Sequence, residues 1–266
     1  MFNVFKSWRR ERLRSLPFPA EWQRIIERNV STFGRLSAED QRELLGHSQV
    51  LLAEKHFEGC GGLELTDEIR VTVAAQASVL LLHRTTDYYP RLKSILVYPS
   101  AYLVSGERPV GGGLWEEGDE IRLGHTGPRL GALVIAWDDA LRGGRTVDDG
   151  ENVVFHEFAH QLDFEDYVVD GTPPLESGQY LSWARVMSAE YEALRQANDS
   201  EATTLIDQYG AKNPAEFFAV ITELFFERPS ELRGKHPALY EELRSFYRQD
   251  PAAWQTGGGS QPVTEG

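Results

Sequence analysis

The chain has 266 residues, 41% hydrophobic and 26% charged, which is the balance of a globular protein able to bury a substantial core. Its 27 Lys and Arg against 41 Asp and Glu leave a net charge of −14, which argues against direct nucleic-acid binding as the main task, since that wants a basic stripe along the surface. The single cysteine, Cys60, excludes an intrachain disulfide and a cysteine-built zinc knuckle, and reads as a packing residue rather than a nucleophile.

The N-terminal stretch MFNVFKSWRRERLRSLPF has no apolar run ahead of its charges, unlike a secretory signal. The longest apolar stretch, Val71–Leu82, contains Thr72, Gln76 and Ser78 and is too short to span a bilayer. The expectation is a cytoplasmic protein without a membrane segment. Residues 1–60 read as helical: Trp22, Ile25, Ile26 and Val30 recur at helical spacing, and Ser37 with acidic residues behind it opens a further helix. The basic run Trp8–Arg14 is either a solvated helix face or a surface-binding arm. A helix capped by Thr66 is expected to run to His83. Ser94–Val104 and Gly131–Asp139, β-branched and bounded by Gly or Pro, read as strands, with one more short strand within Gly111–Gly124. From Asp149 to Asp250 helix returns, broken at Asp170–Gly178 and Lys212–Pro214, and the last residues have the composition of a flexible tail. This order predicts an α+β fold with a small mixed sheet and flanking helices. Residues 1–60 form a helical layer packed on the core, 61–250 the main domain and 251–266 the tail.

Val153 to Asp163 reads VVFHEFAHQLD. A helix turns once in about 3.6 residues, so His156 and His160 leave one face a turn apart and can meet on one cation. Zinc suits neutral imidazole, and a catalytic zinc takes three protein ligands plus water. Glu157 leaves the helix beside that pair, placed to take a proton from zinc-activated water without being a ligand. Val154, Phe155, Phe158 and Leu162 make an apolar stripe that supports the helix. Asp163, on the histidine side, reads either as an acceptor for an imidazole nitrogen or as a solvated charge. Two surface histidines without metal are the plain alternative, and a third ligand decides between them.

The extension H-E-x-x-H-x-x-G-x-x-H fails, because Asp163 and Asp166 hold its last two positions. The later glutamates Glu190, Glu192, Glu216, Glu223 and Glu227 are all candidates, and spacing does not choose among them. Asp207–Pro229 is the most informative segment. Asn213 suits an N-cap, Pro214 the first helical position, and Glu216 the third, where its carboxylate also fits a capping box. Phe217, Phe218, Val220, Ile221, Leu224 and Phe225 mark a largely buried helix. Glu216 and Glu223 lie two turns apart on it, and a buried carboxylate needs a cation or donors.

The segments FEGCGGLELTDEIRVTVAAQA, ILVYPSAYLV, LVIAWDDA, NVVFHEFAHQLDFED and YGAKNPAEFFAVITELFFERP together resemble the Mlc titration factor A family of bacterial zinc-dependent peptidases. That family is similar in its catalytic core to the anthrax lethal factor metalloprotease domain. The likeness runs from about Phe18 to about Asp250. It implies a zincin-like fold, one zinc ion per chain held by His156, His160 and Glu216, Glu157 as base, and Tyr209 assisting at the oxyanion or leaving group. It leaves Glu223 as a possible partner of a zinc histidine, because Val220 stands where gluzincins place an aspartate four residues after the third ligand. The implied activity is aminopeptidase-like cleavage of small peptides, and the implied partner is the sugar-responsive repressor Mlc. The alternatives are a non-catalytic regulator that sequesters that repressor, or a scaffold binding zinc for stability. Gly131–Ala140 is the candidate edge for an extended substrate, an interior strand being the other reading, and His125 is a candidate pocket residue.

Overall fold

The computed structural model describes residues 2–100, 108–110, 114–116 and 131–254. His125, most of Gly111–Gly124 and the tail from residue 255 lie outside the described residues. Three helices open the chain: α1 (Phe2–Ser15), α2 (Ala20–Asn29) and α3 (Ala38–Glu54). Ser37 caps α3 by accepting from the Asp40 N–H at 3.1 Å, with Glu39 and Asp40 in the positive first turn. Arg10 of α1 grips Glu54 at the far end of α3 with two hydrogen bonds of 3.0 and 2.7 Å.

The central helix is α4 (Asp67–Val79), capped by Thr66, whose hydroxyl accepts from Ile69 N–H at 3.3 Å. Every residue from Val71 to Val79 is buried, so this helix is covered on all sides. It stops short of the expected His83. Leu80, Leu81 and Leu82 remain buried in turn conformation, so the apolar run outlasts the helix, and His83 turns left-handed at φ 62°.

Strands β1 (His56–Gly59), β2 (Ser94–Tyr98) and β5 (Ala132–Ala136) form a three-stranded sheet in the order β1-β2-β5. Both pairings are parallel, with Phe57 opposite Ile95 and Ile95 opposite Leu133. Strands β3 (Arg108–Val110) and β4 (Leu114–Glu116) make a separate antiparallel pair. Among the described residues the expected mixed sheet is therefore corrected to a parallel three-stranded sheet and an antiparallel pair. The connection from β1 to β2 passes through α4, and such a crossover brings strands back parallel. Among the described residues β5 pairs with β2 alone, so it is an edge strand, and it runs straight into α5 (Trp137–Arg145).

The helical second half holds α6 (Val153–Asp163), α7 (Tyr180–Asp199), α8 (Pro214–Glu227), α9 (Pro229–Lys235) and α10 (Pro237–Tyr247). Pro229 and Pro237 start the last two helices at the first helical position and account for breaks beyond those expected. Phe225 stacks on Tyr247 with ring centroids 5.6 Å apart, and Trp183 meets Phe246 edge-on at 5.5 Å. Ile26, Leu44 and Leu51 of the first helices, with Val30 at the end of α2, belong to the same apolar cluster as Phe225 and Tyr247. Among the described residues no helix is long and apolar enough to cross a membrane.

Lys55 closes α3 from inside the protein. It is 9% exposed, and its ammonium donates to the carbonyls of Tyr89 and Leu92 at 2.7 and 2.8 Å, tying the helix end to the loop that enters β2. Burial pulls its pKa down from 10.5 to about 8. The folded state thus holds its proton less tightly than the unfolded chain. This group adds stability as pH climbs from about 8 toward 10.5 and withdraws it as pH falls back. Urea unfolding across that interval should show the rise in the parental chain and a flatter profile in Lys55→Met, which also loses about 1–3 kcal/mol at neutral pH through two stranded carbonyls.

Candidate metal centre

The helix that carries the two histidines starts at a side chain that sequence reasoning missed. Asn152 is the N-cap of α6, and its Oδ1 accepts from Val154 and Phe155 N–H at 3.1 and 3.0 Å. An asparagine directly before VVFHEF was the available signal. Its Nδ2 donates to Gln76 Oε1 and Gly143 O, both at 3.1 Å, and to Glu227 Oε1 at 3.3 Å. Helices α4, α5 and α8 thereby converge on one cap. Gly143 permits the approach of α5 to that cap, because a Cβ there would stand 3.1 Å from the Asn152 Cα, and Gly144 lets α5 lie against Asn29 and Gln76.

From this start the stripe of Val154, Phe155, Phe158 and Leu162 packs inward, Phe158 edge-on to Tyr89 at 4.8 Å and Phe155 against Phe226 at 5.3 Å. His156 and His160 then face α8, where Asn213 caps by accepting from Glu216 N–H at 2.9 Å. Only that half of the anticipated capping box forms. The Glu216 carboxylate turns instead to the imidazoles, with Oε2 3.1 Å from His156 Nε2 and 3.4 Å from His160 Nε2. One ligand atom from each of the three residues lies within 4.8 Å of the others.

Glu223 completes the arrangement. Its Oε1 lies 2.7 Å from His156 Nδ1, and its Oε2 accepts from Asn152 N–H at 2.6 Å. A carboxylate accepting at Nδ1 keeps a proton there, so Nε2, on the Glu216 side, is the nitrogen that a cation would take. The orienting acid thus stands seven residues after Glu216, two helical turns along the same side, and Val220 occupies the position four residues after it.

The electrostatics favour a cation at this point. Burial works against the charge on Glu216, but the two imidazoles outweigh it and hold the carboxyl well below its ordinary range. Burial likewise works against a charged His156, and Glu223 and Glu216 outweigh it, raising the imidazole to about 10. Glu157, half-buried beside the pair, is raised by burial against the pull of both histidines. With three carboxylates around two imidazoles, a divalent cation would take the place of the proton held on His156 and add to its charge. Two nitrogens and one oxygen are the donor set of a catalytic zinc site, whose tetrahedral ligands stand about 3.3–3.4 Å apart. The observed separations from Glu216 Oε2, 3.1 and 3.4 Å, fit that spacing.

The other candidates go elsewhere. Glu190 Oε2 lies 2.8 Å from His236 Nδ1, and Glu192 pairs with Arg195 at 3.2 Å. Glu227 is buried at the Asn152 cap, where loss of solvent pushes it up to about 8. Tyr209 is half-buried on the turn Gln208–Ala211, its ring 6.2 Å from that of His156. Asp163 fits neither of its two readings. It is fully buried, and its Oδ2 accepts from Gly171 N–H at 2.9 Å, which holds the segment after α6. Gly171, at φ +78°, rests on the first residue of α8, where a Cβ would stand 2.2 Å from the Pro214 oxygen. A second trio, Asp40, Glu43 and His83, sets the two imidazole nitrogens against different carboxylates, at 3.0 and 3.6 Å, and so forms an ion-pair cluster.

A histidine pair on one helix facing a glutamate on a second is an arrangement of metal-dependent hydrolases, and the chain is a member of a metallopeptidase family. It belongs to the family described as glucose-regulated metallo-peptidase M90, whose model matches residues 5–248. An uncharacterized protein of Synechocystis sp. is 40% identical over 245 residues, covering 92% of this chain and 89% of its own. Proteins named Mlc titration factor A from Yersinia pestis and Yersinia pseudotuberculosis are each 28% identical over 253 residues, covering 92% of both chains.

Removing the cap tests how far the centre depends on it. Asn152→Ala should lower the stability of metal-free protein by about 1–2 kcal/mol for the two lost cap bonds. The buried partners left behind should add to that loss, read as a fall in the urea midpoint at unchanged slope.

Proposed function

We propose that the chain is a zinc-dependent peptidase of the gluzincin type with a zincin-like core, acting in the cytoplasm on small peptides in the manner of an aminopeptidase. His156, His160 and Glu216 hold one zinc ion, Glu157 is the general base, and Tyr209 assists. The observation that carries this reading is the meeting of ligand atoms from two helices within 4.8 Å, with a further carboxylate beside them. When bound, zinc supplies Lewis acidity toward a carbonyl and makes water a stronger acid. The chain's own groups do the rest. Glu223 holds His156 in one tautomer through Nδ1. Glu157 takes a proton from water and returns it to the leaving amine. The Tyr209 hydroxyl donates to the carbonyl oxygen as that atom gains charge. The edge of β5 that is unpaired among the described residues offers backbone donors and acceptors to an extended peptide, which supplies affinity without requiring a particular sequence.

Glu157→Gln should keep one zinc per chain by metal analysis while hydrolysis of aminoacyl chromogenic substrates falls about 10²–10⁴-fold. Parental turnover in that variant removes Glu157 from the mechanism. Equal cleavage of substrates with free and blocked amino termini would count against the aminopeptidase reading. Glu216→Ala should lose the metal, whereas a residue serving the helix start alone would cost only about 1 kcal/mol of stability.

A second reading rests on the name of the Yersinia relatives, Mlc titration factor A. In it the chain binds the repressor Mlc and sequesters it, with or without hydrolysis. Purified repressor should then be retained equally by the parental chain and by Glu157→Gln. Loss of retention in that variant would tie binding to the reaction itself.

A further inference from the structure

Against the C-terminal end of α10 lies a cavity of about 400 Å³ walled by Arg84, Glu176, Gln179, Ser245, Phe246 and Arg248. The proposed catalytic machinery does not use it. In a chain of net charge −14, two guanidinium groups share this hollow with one carboxylate.

Arg84 is the unusual member. The residue as a whole is half-buried, but its guanidinium is almost wholly enclosed, and Nη1 is buried with no hydrogen-bond partner among the described residues. It lies over the Phe246 ring at 4.1 Å and 5.8 Å from that of Tyr247. A ring face offsets part of the lost hydration but accepts no hydrogen bond in the guanidinium plane. Enclosure pulls its pKa below the ordinary value, which is the mark of a charge short of compensation. Glu165, which acts on it only through space, makes no hydrogen bond to it, and burial pushes that carboxyl up, weakening it as a counter-charge.

The other donors stand ready around the hollow. Arg248 ends α10 in the left-handed conformation at φ 55°, a position that favours glycine, and its guanidinium pairs with Glu176. Both partners of that pair are substantially exposed, so it is exchangeable. Gln179 Nε2 donates to Ser245 Oγ at 2.9 Å, leaving a hydroxyl proton and a second amide proton for a guest.

We propose that this hollow binds a small phosphate monoester, whose oxygens draw the Arg84 guanidinium toward the hollow, where its unmet donors find acceptors, and displace Glu176 from Arg248. A phosphate monoester carries close to two negative charges at neutral pH and three terminal oxygens, matching two guanidiniums, a hydroxyl and an amide. A monocarboxylate supplies half the charge and fewer acceptors.

The test is titration of the full metal-loaded chain with inorganic phosphate, at ionic strength held constant with chloride, read by calorimetry and by thermal unfolding. The expected result is saturable binding with a rise in Tm. Arg84→Met, which keeps the contact with Phe246, and Arg248→Gln should each weaken binding at least about tenfold. Arg248 is an exposed position, so its variant carries the test even if Arg84→Met folds poorly. Absence of saturable binding overturns the proposal. So does unchanged affinity in the folded variants, which is the result that phosphate on the metal centre would give.

Discussion

The geometry around the two histidines depends on one carboxylate. Glu223 accepts from the backbone N–H that opens α6 and from the ring nitrogen of His156 one turn later. A single side chain of α8 therefore fixes both where the histidine helix begins and how its first imidazole is turned. Glu216, two turns earlier on α8, faces the Nε2 atoms. The two helices are locked in axial register by the residues that shape the centre, so packing and electrostatics there cannot be varied independently. A buried acid in this position would be costly alone. The backbone donor and the imidazole compensate it.

The second layer of that arrangement is the Asn152 amide, which serves two helix-start N–H groups on one side and gathers Gln76, Gly143 and Glu227 on the other. Each partner comes from an element distant in sequence, and each bond is buried. In a low-dielectric interior such a network is stable only when nearly all its members are satisfied, which gives it strong positional specificity. The sheet adds the remaining constraint. Strand β5 passes directly into α5, and α5 lies against the same cap through Gly143, so β5 and the histidine pair are parts of one frame.

Much of this was legible in the sequence. The spacing of His156 and His160, the cap at Asn213 and the buried character of α8 follow from local rules, and the structure places those side chains together. What spacing could not supply was the choice of glutamate. Glu216 and Glu223 share one side of one helix, and which faces Nε2 and which Nδ1 depends on the axial offset of α6 against α8. Asp163 misled because its neighbour in space, Gly171, lies beyond a chain reversal that no periodicity reports. The mixed sheet was inferred from strand composition, which carries no direction, whereas the α4 crossover dictates parallel pairing. Lys55 was invisible for a similar reason: a lysine at a helix end reads as solvated until the loop from Tyr89 to Leu92 closes over it.

The two sides of the proposed ligand set are sixty positions apart along the polypeptide. During synthesis the histidine turn emerges long before its glutamate, and an isolated pair of imidazoles is a weak and unselective host. Tight retention of the ion must wait until α6 and α8 have docked. Metal content would then report completed tertiary assembly, and a nascent or misfolded chain would hold no metal tightly.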